Sequence, residues 1–201
     1  QDKYGFLWIG TEEGLNRYDG IMIKSYSICP QAAGKYISSL YGTKKNIWIG
    51  TDEGIYIYAY ATETFTYFDL TTPNNVRITS IVNHILQDKD GNLWFSTNGQ
   101  GLFRYNLSKN YLEQYEFTSA FGIVASTMAD SDNQIWALTN QGESGVYKLN
   151  KAENKFEPFG LLYNAGNHHS QALAMLEDSE QTLWLGTWEC GLQKIDKYTR
   201  Q

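Results

Sequence analysis

The sequence contains little proline, little cysteine and no clustered positive charge, and each shortage excludes a class of protein. Only 3 of its 201 residues are Pro and 2 are Cys. Cys29 and Cys190 lie in unlike contexts and form neither a zinc pattern nor a disulfide framework, so we expect no metal and no other cofactor. The 16 Lys and Arg residues are scattered and the net charge is -6, which disfavours nucleic-acid binding. No run approaches the roughly 18 apolar residues of a membrane helix.

Aromatic residues, by contrast, are abundant. They make up 15% of the chain and include 15 Tyr and 6 Trp, while 42% of all residues are hydrophobic and 19% are charged. Such a composition can bury a core, and aromatic enrichment favours strands over helices. No segment sustains a 3.6-residue period, which argues against a helical repeat.

A repeated phrase runs through the chain. It reads LWIGTEEGL from Leu7, IWIGTDEGI from Ile47, LWFSTNGQGL from Leu93, IWALTNQGESGV from Ile135 and LWLGTWECGL from Leu183. Its tryptophans, called the repeat tryptophans below, are spaced by 40, 46, 42 and 48 residues. They are Trp8, Trp48, Trp94, Trp136 and Trp184. Five copies of one phrase at this period indicate a repeat architecture.

Each copy divides into four short segments. An apolar run, strand A, is followed by a polar turn, the Trp strand B, a Gly-containing turn, an alternating strand C and a short strand D with an apolar pair at i, i+3. Four antiparallel strands in about 40 to 45 residues make one blade of a β-propeller. We therefore predict an all-β fold, a partial β-propeller over residues 1–201 with about five four-stranded blades, three complete and two partial. The predicted blades are 1–28, 34–69, 76–117, 121–159 and 170–201.

The partial blades predict an excised piece of a longer propeller. Blade one would hold strands B, C and D and blade five strands A, B and C, giving 18 strands in all. Such an arc would expose apolar flanks, expected at Leu7, Trp8 and Ile9 and at Leu183, Trp184 and Leu185. Exposed flanks of this kind are normally buried by association, so we expect the isolated fragment to self-associate.

The phrase D-x-x-G-x-[LI]-W-I-G-T-x-x-G-[LI]-x-x-[YI], followed by F-x-x-Y, resembles the two-component regulator propeller repeat over nearly the whole chain. Copies two and four depart from it, with Gly42 in place of the Asp and Ala137-Leu138 in place of Ile-Gly. The resemblance implies the periplasmic sensor region of a Bacteroides-type hybrid two-component system. Its parent would hold two seven-bladed propellers, a β-sandwich, a membrane span, a histidine kinase and a DNA-binding response regulator. It would be an inner-membrane homodimer that senses oligosaccharides and controls polysaccharide-utilisation genes.

Two repeated residue types have a structural and a functional interpretation. The repeat tryptophans could stack on sugars, but their constant place in a central strand favours packing between blades. The repeated turn aspartates, Asp2, Asp88, Asp130 and Asp178, resemble a sialidase Asp box or a calcium loop. Hydrogen bonding to turn amides explains them without a ligand, because a calcium loop needs more oxygen ligands, including a bidentate Glu.

No catalytic constellation interrupts the repeat. His168 and His169 are adjacent, which makes joint ligation of one ion awkward, and His84 lies in another blade. No nucleophile elbow or phosphate loop is present. We therefore expect a non-catalytic fragment. The alternatives are a propeller hydrolase or lyase acting on glycans, which would need paired carboxylates, and a protein-interaction scaffold, which would need a flat apolar face.

Residues that break the repeat gather in the B-to-C turns and the D-to-A loop from Gly160 to Ser170, which we expect to converge on one end of the propeller. Trp188 is the one Trp outside the repeat positions and stands in a B-to-C turn. It is either a stacking platform, a residue packed under a neighbouring loop, or a residue exposed only in the fragment. Interleaved aromatic, amide and imidazole groups suit a ligand with polar and apolar faces. The candidate ligand-binding residues are Trp188, Glu189, Asn140, Gln141, Asn98, Gln100, Tyr163, Asn167, His168 and His169.

Overall fold

A computed structural model describes residues 1–28, 35–117, 122–139, 145–161, 172–188 and 191–198. These residues form 18 β-strands and no helix. They divide into two compact units, Gln1–Ile85 and Leu86–Gln201, with the boundary inside strand β8 (Val82–Gln87). The five sheets hold three, four, four, four and three strands. The prediction of an all-β propeller fragment with three complete and two partial blades is therefore confirmed.

The first unit contains two antiparallel sheets, each in chain order. One consists of β1 (Leu7–Thr11), β2 (Gly14–Tyr18) and β3 (Ile23–Tyr26). The other consists of β4 (Ile37–Gly42), β5 (Asn46–Thr51), β6 (Gly54–Ala59) and β7 (Thr64–Tyr67).

The second unit repeats the same meander. Strand β8 begins a sheet that continues through β9 (Leu93–Thr97), β10 (Leu102–Asn106) and β11 (Tyr111–Tyr115). The next sheet consists of β12 (Val124–Ala129), β13 (Ile135–Thr139), β14 (Gly145–Asn150) and β15 (Lys155–Leu161). The last consists of β16 (Ala172–Glu177), β17 (Leu183–Thr187) and β18 (Leu192–Ile195).

The core lies between consecutive sheets, because each sheet is apolar on both faces. In the first unit Leu15 packs with Ile37 and Ile49 of the next sheet. In the second unit one cluster joins Trp94 to the sheet that follows it, and another joins Trp136 to Leu183 and Leu185. Within each unit, neighbouring blades therefore stabilise each other, as expected for a repeat whose units cannot bury their faces alone.

The glycine of the repeated phrase marks a close approach between blades. A Cβ on Gly10 would lie 2.5 Å from Cγ2 of Ile37 on the next blade, and one on Gly50 would lie 2.9 Å from Cβ of Val82 on the next blade. Copy three has Ser96 at this position, and its hydroxyl lies 2.5 Å from that of Thr127 on the next blade. A small side chain with a hydrogen-bonding partner can therefore replace the glycine.

Three details correct the sequence-based expectations. Trp48, Trp94 and Trp136 are at most 3% exposed, but Trp8 and Trp184 of the terminal sheets are only half-buried. Leu183 and Leu185 are buried instead of forming an exposed flank, because alternate strand residues face opposite ways and these two face the preceding blade. Gly160 belongs to strand β15 and not to a loop.

Candidate ligand-binding face

The B-to-C turns are held by the repeated threonine that ends strand B. Its hydroxyl donates to the carbonyl of a turn glycine: Thr11 to Gly14, Thr51 to Gly54, Thr97 to Gly101 and Thr187 to Gly191, at 2.6 to 3.0 Å. These hydrogen bonds fix the backbone of the turns and therefore the positions of the residues inside them.

Connections between blades lie against the B-to-C turns. In the first unit the hydroxyl of Tyr67 donates to the carbonyls of Glu53 and Ile78, and Lys35 forms an ion pair with Glu53. Gly54 has φ of +114°, and a Cβ there would lie 2.5 Å from the carbonyl oxygen of Ile78. Turns and D-to-A connections therefore meet at this end of the blade, as the sequence predicts.

Two of the sequence-predicted site residues, Asn98 and Gln100, occupy such a turn in the second unit. Asn98 pairs with Ile123 in an isolated bridge, and Gly101 donates its amide to Gly122 at 2.8 Å. The carbonyl of Gln100 accepts a hydrogen bond from the side chain of Gln114 at 2.9 Å. Asn98 is exposed and Gln100 is half-buried, so both can be reached from solvent.

Trp188 follows strand β17 directly and is 71% exposed. Most of this indole is therefore accessible to a ligand. The remaining candidates, Glu189, Asn140, Gln141, Tyr163, Asn167, His168 and His169, lie outside the described residues. Among the residues that are described, Asn98 and Gln100 share one turn and Trp188 stands in another.

The turn aspartates do what the turn interpretation predicts and also bind the repeat tryptophans. Oδ1 of Asp88 accepts the amide of Asn92 at 2.8 Å, and Asp2, Asp130 and Asp178 accept equivalent amides. Oδ2 of Asp2, Asp88, Asp130 and Asp178 accepts the indole N–H of Trp8, Trp94, Trp136 and Trp184, at 2.7, 2.8, 2.9 and 2.6 Å. The indole of Trp184, followed by the amide of Thr182, holds the pKa of Asp178 below its ordinary value.

Sequence reasoning missed this indole contact. The signal was available as an Asp–Trp spacing of six residues in four of the five copies. Copy two has Gly42 instead, so its Trp48 cannot make the same bond. In these four copies the repeated Asp and the indole N–H of the repeat tryptophan therefore bond to each other as one structural element.

A charged cluster, called the Lys197 cluster below, lies near the end of the second unit. The buried ammonium of Lys197 donates to Oδ2 of Asp132 and Oε1 of Glu177, both at 2.8 Å, and Glu177 accepts the amide of Ser131 at 2.5 Å. Burial alone would lower the pKa of Lys197, but these carboxylates outweigh burial and raise it. The hydrogen bond from Lys197 lowers the pKa of Asp132. Both carboxylates are committed to one cation, which suits a structural tie between the last two sheets.

Within the described ranges, no group of three or more His, Cys, Asp or Glu side chains is placed to hold a metal ion. No helix among those residues is long and apolar enough to cross a membrane.

Comparison with known proteins places the repeat in a family. Residues 75–99 match the two component regulator propeller family, which confirms the resemblance read from the sequence. A curated relative, histidine kinase P4 of Formosa agariphila, is 28% identical over 135 residues, which is 63% of this chain and 10% of the relative.

Solved structures agree on the fold. The extracellular domain of the B. thetaiotaomicron hybrid two-component system BT4673 covers all of this chain with a TM-score of 0.82 at 24% identity. That of BT3049 from the same organism does so with a TM-score of 0.81 at 24% identity. The chain spans 26% and 28% of these structures, so it is similar to about a quarter of each.

A propeller enzyme also shares the fold. Streptogramin B lyase covers 98% of this chain with a TM-score of 0.69 at 19% identity, and the chain spans 67% of it. Because propellers support both sensing and catalysis, the fold alone does not assign a function.

Proposed function

We propose, from the two component regulator propeller match at residues 75–99, that this chain is a non-catalytic part of the ligand-sensing region of a hybrid two-component system. The ligand is an oligosaccharide, and the parent protein is an inner-membrane homodimer that presents this region to the periplasm. Kinase activity resides elsewhere in the parent, and binding of the sugar controls genes for polysaccharide use.

The match carries the proposal because it falls on a repeat that the fold preserves in all five sheets. It spans strands β8 and β9 and the turn that joins them, including Asp88 and Trp94. The curated relative with a similar segment is named as a histidine kinase, and two structures with the same fold are extracellular domains of hybrid two-component systems. These similarities support a sensor; the choice of a saccharide follows from the family resemblance and the chemistry of the turn face.

The turn face supplies the binding surface in this proposal. Trp188 offers a large exposed indole face, which can lie against the apolar face of a pyranose ring. Asn98 and Gln100 supply amides in another turn of the same unit. Asn140, Asn167 and His168 are the polar neighbours that we expect from the sequence.

The test is substitution of Trp188 in the full sensor region. Trp188→Ala should weaken binding of an identified oligosaccharide by about 1–3 kcal/mol, the loss expected for one aromatic platform. Tyr111→Ala is the matched control, because Tyr111 is also exposed and lies on strand β11 away from the turn. An unchanged affinity for Trp188→Ala, with the fold intact, removes Trp188 from the site.

A lyase or hydrolase is the rival function, supported only by fold similarity. Asp132 and Glu177, two described carboxylates from different sheets that meet at one lysine, both have lowered pKa values. A general acid needs the opposite shift. Cleavage of an oligosaccharide by this chain that disappears on changing one Asp or Glu would favour the rival.

A further inference from the structure

A small notch recurs between consecutive blades, at the end of the strands opposite the B-to-C turns. In each case the A-to-B turn and repeat tryptophan of one blade meet the C-to-D turn of the next. The notch between the first two blades, called the aromatic notch, has a volume of about 230 Å³. Its counterpart between the third and fourth blades, called the polar notch, has a volume of about 150 Å³.

Corresponding repeat positions line both notches but carry different chemistry. The polar notch has Asp90, Asn92, Leu149 and Lys151 where the aromatic notch has Tyr4, Phe6, Tyr58 and Tyr60. Tyr58 keeps the tyrosine that this repeat position also has at Tyr18 and Tyr105, but Tyr4, Phe6 and Tyr60, contributed by two different blades, are aromatic in this notch alone among the copies. Such a concerted departure from a repeat has to be explained by a property of the notch itself.

Packing alone does not explain the aromatic notch. Tyr4 is 60% exposed, yet its ring meets that of Tyr60 at 5.6 Å and 82°, so the two form an open corner. The floor is more buried, with the rings of Trp8 and Tyr58 at 5.0 Å. An exposed aromatic wall above a buried aromatic floor is a surface for a flat apolar partner.

The polar notch is closed by its own hydrogen bonds. Arg104 forms an ion pair with Glu113 at 2.5 Å, on the adjacent strand. Glu113 also accepts a hydrogen bond from Asn154 at 2.6 Å, and Tyr115 donates to Asn154 at 2.8 Å. Every charged or amide group in this set has a partner, so little remains for a ligand.

The aromatic notch leaves the equivalent groups open. Arg17 takes the place of Arg104, but its cross-strand neighbour is Lys24 in place of a carboxylate. The Arg17 guanidinium lies 4.3 Å from the ring centre of Phe6 and makes no hydrogen bond or ion pair with any described residue. Glu63 takes the place of Asn154, and its carboxylate likewise has no partner among the residues described. A donor and an acceptor thus face the same aromatic cavity.

We propose that the aromatic notch binds a single neutral hexose ring. The corner of Tyr4 and Tyr60 contacts the apolar face of the sugar, Arg17 donates to ring hydroxyls and Glu63 accepts from them. A guanidinium stacked on an aromatic face keeps the donors on its edge available. The cavity is smaller than the roughly 300–1,000 Å³ of drug-sized sites, which suits one ring.

Charge decides against other occupants. An aromatic cage for a cationic ligand is disfavoured, because Lys3 lies 4.8 Å from the ring centre of Tyr4 and Arg17 already covers Phe6. The second carboxylate in the notch, Asp2, already accepts the indole N–H of Trp8 and two amides. The charged groups that remain are the carboxylate of Glu63 and the cations Arg17 and Lys3, whose charges offset each other. Such a set can hydrogen-bond to the hydroxyl groups of a neutral sugar and does not select a charged ligand.

The experiment follows the indole N–H of Trp8 by NMR in the ¹⁵N-labelled 201-residue chain. Methyl glycosides of glucose, galactose and mannose are the probes, with methyl glucuronoside as the charged comparison. At least one neutral glycoside should shift the Trp8 resonance in a saturable way, more strongly than the glucuronoside does. The Trp8→Phe variant assigns the resonance.

Two variants test the contributions of Tyr4 and Arg17 to binding. Tyr4→Ala changes an exposed side chain and should weaken binding about tenfold, and Arg17→Gln should do so by a similar factor through loss of a charged donor. Tyr111→Ala, the same Tyr-to-Ala change at an exposed position on strand β11, should leave this titration unchanged, because Tyr111 does not line the notch.

The proposal would be overturned by the absence of a saturable shift with any neutral glycoside, or by Tyr4→Ala and Arg17→Gln binding as tightly as the unaltered chain. Preferred binding of the glucuronoside would also overturn the choice of a neutral ring. The sensor function is tested separately, by oligosaccharide binding to the full sensor region. If Trp188→Ala loses that binding and Tyr4→Ala keeps it, the sensor function is supported and the aromatic notch has no part in it.

Discussion

The bond between Asp88 and Trp94 should be a principal stabilising contact of its blade. Asp88 is 7% and Trp94 1% exposed, and the carboxylate accepts the indole N–H at 2.8 Å and the amide of Asn92 at 2.8 Å. Asp88→Ala leaves a buried indole donor unpaired, which costs about 1–3 kcal/mol, and removes hydrogen bonds to a charged group. We expect a total loss of about 2–4 kcal/mol in the free energy of unfolding.

A double-mutant cycle isolates the contact. Trp94→Phe removes the indole donor but keeps an aromatic ring, and the combined variant removes both partners. The coupling energy between the two sites should be about 1–3 kcal/mol, since the second change costs less once the partner is gone. Urea denaturation gives the three free energies, and exchange of the indole N–H with D₂O reports the local bond directly.

The terminal blade offers a graded control. Asp178→Ala breaks the same bond to Trp184, but that indole is half-buried, so water can replace the lost acceptor and the effect should be smaller. A coupling energy near zero for Asp88 and Trp94, or an equal loss at both blades, would refute the reasoning that burial makes this bond important.

Three further outcomes are expected. Trp94→Ala should cost about 3–5 kcal/mol by denaturation, as a large core truncation; a loss below 1 kcal/mol would contradict packing between blades. The Lys197 cluster should stabilise the second unit above the ordinary pKa values of 3.8 for Asp132 and 4.5 for Glu177, and this contribution should vanish as the pH falls below them. The thermal unfolding temperatures of the unaltered chain and of Lys197→Met should therefore differ at pH 7, and the difference should shrink as the pH falls from these ordinary values through the lowered pKa values of the folded state. The isolated chain should self-associate in light scattering, and Ile23→Lys on its exposed flank should reduce association; a monodisperse 23.0 kDa monomer would contradict this.

The strand pattern was accessible from the sequence because each blade repeats local signals. The Asp–x–x–Gly turn, the Trp strand and the Thr–Gly turn follow one another within a few residues, so their order needs no knowledge of distant contacts. The error at Leu183 and Leu185 has a simple cause. Adjacent residues of a strand point to opposite faces, so these leucines lie on the side away from Trp184, and Leu176 and Leu192 form the exposed surface instead.

The candidate sites were harder to predict. The aromatic notch combines Tyr4 and Arg17 from one blade with Tyr60 and Glu63 from the next, and these positions become neighbours only when sheets pack. Comparison between copies would have revealed the aromatic replacements, but only the fold shows that they line one cavity. Trp188 was recognised because it interrupts the repeat, and its exposure is consistent with that interpretation.

The central claim, that this propeller senses a saccharide without converting it, is tested most directly by calorimetry on the full sensor region with a panel of glycan oligosaccharides. The bound sugar is then recovered and its chain length measured. We predict saturable binding of at least one oligosaccharide that is recovered intact after long incubation at high protein concentration. Heat from steady turnover with shortened products, or no binding to any member of a panel that covers the glycans available to the organism, would contradict the account.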